Sequence, residues 1–401
     1  MSLGFVLELA LLVLGVPVFG WALYLGALAL LSVPPRAPSA PEKPELKFDF
    51  VVPAHNEAMG IAQTVKSLQA VDYPKELFRV MVVADNCSDD TAARAREAGA
   101  VVLERFNQEL RGKGYALATA FERCVKEGAD AVVVVDADTI ISPNLLKAYA
   151  ARLVNGAVAV QAHYGVQNPN ASWRTRLMRI ALSMFHQVRS IGRERLGVSA
   201  GLRGNGMCFR TSLLKEVPHD AYSLVEDLEY GIRLGRRGFR VAYAWEADVL
   251  GEMVSGGAAS KSQRHRWEHG RAQMLKTHGW PLLRDALKER SKLLFDLSMD
   301  VLVPPLSRVV VLSVLGSMAS TALLVLTGHG AWASSAFGLS LFAIGLYVFA
   351  GWLHSGTGLR GLVDLAMAPV YVAWKAVAAI QQPKGKKDEW VRTTREGETR
   401  P

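Results

Sequence analysis

Residues 131–139 read AVVVVDADT, a run of valines that ends in two aspartates one residue apart. Consecutive β-branched residues of this kind fit a strand buried on both faces, as in a parallel sheet. In an extended chain, residues i and i+2 point to the same side. Asp136 and Asp138 therefore aim both carboxylates at one point, where the strand leaves the sheet. Open parallel sheets take ligands outside the carboxyl ends of their strands. Two hard oxygen ligands there suit Mg2+ or Mn2+ carrying phosphate oxygens. Taken alone, the tripeptide is equally a solvated exit from a strand.

The flanking sequence extends the α/β pattern. FDFVVPAHNE (48–57) is a short apolar strand ending in a polar turn, and FRVMVVADNCSDDT (78–91) is a second strand with an acidic end. TAARAREAGA is a helix closed by glycine, AVVLER a third strand, and GYALATAFERCVKEG another helix. Strand and helix alternate at the spacing of βαβ units, which predicts a mostly parallel sheet. VVPAHNE contains no GxGxxG, so a dinucleotide fingerprint is missing.

The apolar excess lies at the ends of the chain. Of 401 residues 50% are hydrophobic, and Leu9–Val33 carries no charged side chain. That run is long enough to span a bilayer, and it is too long, with no basic residue before it, for a signal peptide. Residues 34–47 are proline-rich and read as a linker. Arg36, Lys43 and Lys47 follow the span and Glu8 precedes it, which places the central region in the cytoplasm. Val309–Leu353 again lacks Asp, Glu, Lys and Arg and is broken by Gly328-His329-Gly330, the pattern of a helical hairpin crossing twice. Residues 360–382 carry Asp364, Pro369 and Lys375 and read as an interfacial or re-entrant helix before a basic tail. The expected organisation is a membrane helix at 1–33, the linker, an α/β domain at 48–300, a membrane hairpin at 301–355, and an interfacial helix with the tail at 356–401.

The net charge of +9 is compatible with nucleic acid, anionic lipid or nucleotide phosphates as partner. Three scattered cysteines form no CxxC pair and indicate neither zinc nor a disulfide framework. Residues 173–196 have helical apolar spacing with six arginines, which fits a helix on the membrane surface or one docked on the sheet.

Further polar clusters stand at strand ends. Asp85 follows the second strand, where a carboxylate accepts from a base or ribose, or caps a turn. Lys113 lies between glycines ahead of a helix, an anion site in the making or a plain loop lysine. GLRGNG (201–206) permits close backbone approach to a ligand. Glu226 and Asp227 open a helical pattern, where acids also serve merely to offset the helix dipole. SQRHRW gathers Gln263, Arg264, Arg266 and Trp267, suited to a pyrophosphate and a sugar face or to a membrane surface.

Taken in order, PAHNE, the aspartate of VVADNCSDDT, DAD, VED, QRHRW and the tail WVRTTR resemble the membrane-bound family 2 glycosyltransferases. That family includes cellulose, chitin and hyaluronan synthases, and ceramide glucosyltransferases show a related pattern. The resemblance covers about residues 48–275. It implies a GT-A fold, a nucleotide-sugar donor (a UDP-sugar), Mn2+ or Mg2+, and inverting transfer. It places Pro53, Glu57, Asp85, Lys113, Asp136, Gln263, Arg264 and Arg266 with the donor, and Asp136 and Asp138 with the metal. Asp227 becomes the general base, and Trp267, Asn205 and Glu226 go with the acceptor. The implied setting is a multi-pass protein of the inner (cytoplasmic) membrane with a cytoplasmic catalytic domain. Its partners would be a lipid or lipid-linked saccharide acceptor and polysaccharide-assembly proteins, with no nucleic acid. Two departures stand out. VQAHYGV replaces the QTP-like sequence of the processive synthases around Gln161, and the membrane portion is much smaller. A processive polysaccharide synthase and a non-catalytic membrane scaffold are the competing readings; intact DAD, VED and QRHRW argue against the scaffold.

Overall fold

A computed structural model describes residues 2–169, 172–251 and 270–369. The first half of the α/β domain alternates strand and helix as the sequence predicts. β1 (Phe48–Ala54) is followed by α2 (Ile61–Gln69), β2 (Phe78–Asp85), α3 (Thr91–Glu97), β3 (Val101–Arg105), α4 (Lys113–Lys126) and β4 (Ala131–Val134), after the N-terminal helix α1 (Leu3–Leu30). β1 pairs in parallel with β2 from Phe48–Phe78 to Ala54–Ala84, and with β4 from Phe48–Ala131 to Val51–Val134. Alternate strand residues face opposite cores. Phe50, Val52 and Val133 pack with Ile61, Leu68 and Tyr149; Val51, Val132 and Val134 pack with Leu117, Phe121 and Phe209.

The second half is less regular. β5 (Thr139–Ile141), α5 (Leu145–Val154) and β6 (Ala159–Val166) precede α6 (Trp173–Leu182), a π-helical turn (Ser183–Val188) and α7 (Arg189–Leu196). β7 (Met207–Arg210), α8 (Thr211–Glu216), α9 (Glu226–Arg236) and β8 (Val241–Gly251) complete the sheet. The strand order is β3-β2-β1-β4-β7-β6-β8-β5, with β7 antiparallel to both β4 and β6. The chain leaves β1 for β2 and β3 on one side and returns to β4 on the other. The crevice at that reversal collects the ends of β1, β2 and β4.

α10 (Trp280–Glu289) and α11 (Lys292–Leu302) pack on α9 through Ile232, Leu282, Leu294 and Leu297. They lead into α12 (Leu306–Thr327) and α13 (Ala331–Ser355). With α1, these are three helices long and apolar enough to cross a membrane. Small residues bring them close: a Cβ on Gly26 would lie 2.9 Å from the Ala343 Cβ. Glu8, the acid ahead of the first apolar run, accepts from the Trp332 backbone N–H at 2.9 Å and so satisfies a donor in the first turn of α13. α14 (Gly358–Leu365) exposes Leu359 and Val363 and is tied to α6 by Arg176 with Asp364. The rest of the expected interfacial helix, and the basic tail, lie outside the described residues.

The helical reading of 173–196 holds, and its arginines divide: Arg174 and Arg195 are exposed, whereas two others turn inward. Arg189 and Arg193 are buried against α11 and the membrane helices.

Candidate active site

The first two strands end in loops that hold each other. Glu57 N–H donates to the Thr91 hydroxyl at 2.7 Å, and Ser88 N–H donates to Asn56 Oδ1 at 2.8 Å. Asn56 and Asn86 take the left-handed conformation that asparagine tolerates. Pro53 sits beyond the last β1–β4 pair, so on that side its missing N–H costs no ladder bond. Asp85 ends β2. Its Oδ1 accepts from Arg105 at 2.7 Å and from Asn86 Nδ2 at 3.1 Å, so it enters the crevice already ion-paired. Tyr115 and Tyr222 stack nearby with ring centroids 4.1 Å apart, and Arg105 lies over Tyr115. No motif marked that aromatic pair in the sequence.

Asp136 and Asp138 follow β4 in a turn, both half-exposed, with the buried Ala137 between them. Lys113, the first residue of α4, donates to Asp136 Oδ1 and to the Gly204 carbonyl, both at 2.6 Å, and stands 3.6 Å from Glu226. Burial alone would lower the lysine's pKa, but the charges of Asp136, Glu226 and Asp227 outweigh it and hold the ammonium above its ordinary range. Close packing here needs glycine: a side chain at Gly114 would meet the Ala221 carbonyl.

Glu226 and Asp227 begin α9 beside the GLRGNG loop. A Cβ on Gly204, which has φ +76°, would approach Asp227 Oδ2 to 3.4 Å. Burial pushes Glu226 up to about 7, against the pull of Lys113 and with a further push from Asp227. Burial likewise raises Asp227, opposed by the Leu228 N–H and by Lys113 and Arg203.

Asn205, expected with the acceptor, stands beneath the DAD turn. It is fully buried, its Oδ1 accepts from Asp136 N–H at 3.1 Å, and its Nδ2 donates to the Thr139 hydroxyl at 2.9 Å. Both ends of its amide brace the DAD turn. Gln161 does the same for the loop: its Nε2 donates to Asn205 O at 2.7 Å and its Oε1 accepts from Arg203 N–H at 2.9 Å. The glutamine matched in the departing VQAHYGV segment thus remains a structural clamp. Tyr164, from the same segment, has its pKa raised by burial and then by Asp136 and Asp138, which places it beside the turn. Gln263, Arg264, Arg266 and Trp267 lie outside the described residues.

Among the described residues no group of three or more His, Cys, Asp or Glu side chains gathers as a metal site. The donor set at the DAD turn still fits a hard divalent ion. Two carboxylates border a crevice, and such an ion draws its remaining ligands from phosphate oxygens and water.

The family model described as "Glycosyltransferase like family 2" matches residues 44–270. The chain belongs to glycosyltransferase family 2. It is 27% identical over 263 residues to the probable glycosyltransferase YdaM of Bacillus subtilis, covering 63% of this chain and 60% of that protein. It is 30% identical over 264 residues to the beta-monoglucosyldiacylglycerol synthase of Synechocystis, covering 62% and 54%. The chain therefore spans little more than half the length of these relatives. Among solved structures, the mannosyltransferase PcManGT from Pyrobaculum calidifontis, in complex with GDP-Man and Mn2+, superposes with a TM-score of 0.57 at 19% identity, over 93% of this chain and 94% of that one. That likeness establishes the GT-A fold.

Proposed function

We propose that this chain is a membrane-anchored inverting glycosyltransferase. It moves a sugar from a nucleotide-sugar to the hydroxyl of a lipid or lipid-linked saccharide at the cytoplasmic face. The observation that carries this reading is the linkage of Asp136, Lys113, Glu226 and Asp227 across one crevice. It sets the DAD turn opposite a buried carboxylate of raised proton affinity. The relatives named for glycosyl transfer, one of them a glycolipid synthase, support the same class.

Asp136 and Asp138 would hold Mn2+ or Mg2+, which neutralises charge on the diphosphate leaving group. Pro53, Glu57 and Asp85 border the donor side. The Asp85–Arg105 pair and the Tyr115–Tyr222 stack are suited to a nucleobase and ribose. Gln263, Arg264 and Arg266 are assigned to the diphosphate and Trp267 to the acceptor by their motif. Asp227 accepts the proton of the acceptor hydroxyl as its oxygen bonds to the anomeric carbon. The bond from that carbon to the diphosphate oxygen breaks, and the nucleoside diphosphate leaves on the opposite face. One carboxylate suffices for this direct inversion. Glu226 keeps Lys113 charged and sets the electrostatic environment of the base.

Addition of one or a few sugars is favoured over secretion of a polymer. A polar chain crossing the bilayer needs hydrogen-bonding partners along an enclosed path. Residues 309–353, which include most of α12 and α13, contain no Asp, Glu, Lys, Arg, Asn or Gln. The test is nucleoside diphosphate release by the purified chain with UDP- and GDP-sugars, Mn2+ or Mg2+, and lipid acceptors in liposomes. Lipid-borne mono- or oligosaccharide is the expected product. Long polysaccharide inside the vesicles would exclude single addition, and absence of release with every donor would exclude transfer.

A further inference from the structure

A second charged cluster lies away from the DAD turn, where the catalytic domain meets the membrane helices. Arg189 and Arg193 stand one turn apart on α7, Arg203 comes from the GLRGNG loop, and Arg271 precedes α10. Against them α11 sets Asp296 and Asp300. Asp300 Oδ1 accepts from Arg189 at 3.2 Å and Arg193 at 3.0 Å, and its Oδ2 is 3.5 Å from Arg203. Arg271 donates to the Asp300 carbonyl. Arg189, Arg203 and Arg271 also crowd one ring, Phe185, with guanidinium carbons 5.0, 4.4 and 5.5 Å from its centroid.

This cluster carries more positive charge than its own carboxylates balance. Four guanidinium groups face Asp296 and Asp300, with Asp227 as a third carboxylate beside Arg203 among the described residues, and isolated buried charge is costly unless it is paired. Asp296 Oδ1 stands 3.3 Å from Arg193 Nε. Burial pushes Arg271 down to about 10, with Arg189, Arg203 and Arg193 adding to the fall and Asp300 opposing it. Two donors, Arg193 Nη1 and Arg203 Nε, are buried with no hydrogen-bond partner among the described residues. Arg193 is fully buried and Arg203 is 8% exposed, whereas Phe185 and Arg271 are half-buried and form the rim.

The surroundings specify the anion. Tyr24 of α1 accepts from Arg193 at 2.8 Å, and Tyr347 of α13 accepts from Arg189 at 3.0 Å, so two membrane-crossing candidates contribute directly to the cluster. On the other side, Arg203 is close enough to Asp227 to lower the carboxylate's proton affinity. The cluster lies between the proposed base and the bilayer, while Lys113 and the DAD turn serve the donor side. Resting on the reading of this chain as a transferase to a lipid acceptor, we propose that the cluster of Arg189, Arg193, Arg203 and Arg271 binds the phosphate of a lipid head group. The acceptor lipid therefore bears a phosphate near the hydroxyl that receives the sugar. Guanidinium groups suit this role because they bind phosphate oxygens in bidentate fashion.

The test uses the full chain in neutral detergent without donor, titrated with dioleoyl phosphatidic acid and, separately, with dioleoylglycerol. These lipids differ by the phosphate. Phosphatidic acid is expected to bind at least ~10-fold more tightly. Arg203→Gln should erase the preference and Arg203→Lys should keep part of it. Equal binding of the two lipids would overturn the proposal. Should Arg203→Gln fail to fold, the unaltered chain still decides: its melting temperature should rise with phosphatidic acid and not with dioleoylglycerol. UDP and GDP with Mn2+, added as competitors, separate the two sources of phosphate. Retained phosphatidic acid supports a lipid site, whereas its displacement would assign the arginines to the donor and overturn the proposal. Sugar transfer is measured alongside. Preserved phosphatidic acid preference without transfer to any lipid would leave the site standing and remove the transferase reading. Transfer to dioleoylglycerol with no such preference would do the reverse.

Discussion

Two charged centres in this molecule are built with opposite signs. At the DAD turn one lysine, Lys113, stands among the carboxylates of Asp136, Glu226 and Asp227, with Asp138 two residues on in the same turn. At the membrane junction four arginines stand around Asp296 and Asp300. Each centre is partly compensated, and the charge left over points to what is missing. An acid surplus beside half-exposed oxygens suits a cation and a proton acceptor. A guanidinium surplus beside membrane helices suits an anion. Predictions about the first centre test whether its surplus is used for chemistry, and those about the second whether its surplus is used for binding.

The largest effect is expected at the DAD turn, the proposed cation site. Asp138→Ala should lower transfer on the order of 10³-fold or more, since a metal on the leaving diphosphate is worth several kcal/mol. It should also weaken nucleotide-sugar binding and leave the phosphatidic acid preference intact. Excess chelator should reproduce the loss in the unaltered chain; full activity in chelator would remove the metal from the account. Next in size, Asp227→Asn keeps shape and removes the proton acceptor. Turnover should fall by roughly 10²–10⁴-fold with donor affinity little changed. A loss confined to donor binding would make Asp227 a ligand rather than a base.

Asn205→Ala tests the brace beneath the turn. It leaves the Asp136 N–H and the Thr139 hydroxyl without their partner in the core, at a cost of about 1–3 kcal/mol of stability. Metal affinity should weaken together with stability, as measured by thermal unfolding with and without Mn2+. Unchanged metal affinity would show that the turn holds its shape without the amide.

These centres were unequally legible in the sequence. The first could be read in part because its signals are local: DAD ends a valine strand and VED opens a helix. The antiparallel insertion of β7 between β4 and β6 was not legible, since MCFR is too short to carry a pairing direction. Nor was the brace, because one buried amide such as Asn205 or Gln161 leaves no pattern. The second centre was visible only as a basic stripe on the 173–196 helix. The same stripe would serve on a membrane surface. What turns Arg189 and Arg193 inward is Asp296 and Asp300 on α11, about a hundred residues away, and no periodicity records that contact.

The smallest predicted effect concerns the acid beside the base. Glu226 and Asp227 are adjacent buried carboxylates that share Lys113, and burial raises the proton affinity of both, Glu226 to about 7. The base works only when Asp227 is ionised, so activity should fall as pH drops through its raised pKa. That limb should lie above the ordinary aspartate range near 4. The same shift bears on stability: a carboxyl whose folded pKa is raised favours the native state when protonated, and that contribution is lost as pH rises through the folded value. Glu226→Gln removes one ionisable neighbour and leaves Lys113 and the burial in place. Glu226, at about 7, is already protonated over the acid limb, so that limb should stay in place and kcat on the plateau should change little. A pH–rate profile of both proteins at saturating donor reads the limb directly. An acid limb that moves to lower pH by about one unit would mean that Glu226 is ionised in the working enzyme and that its charge reaches the base.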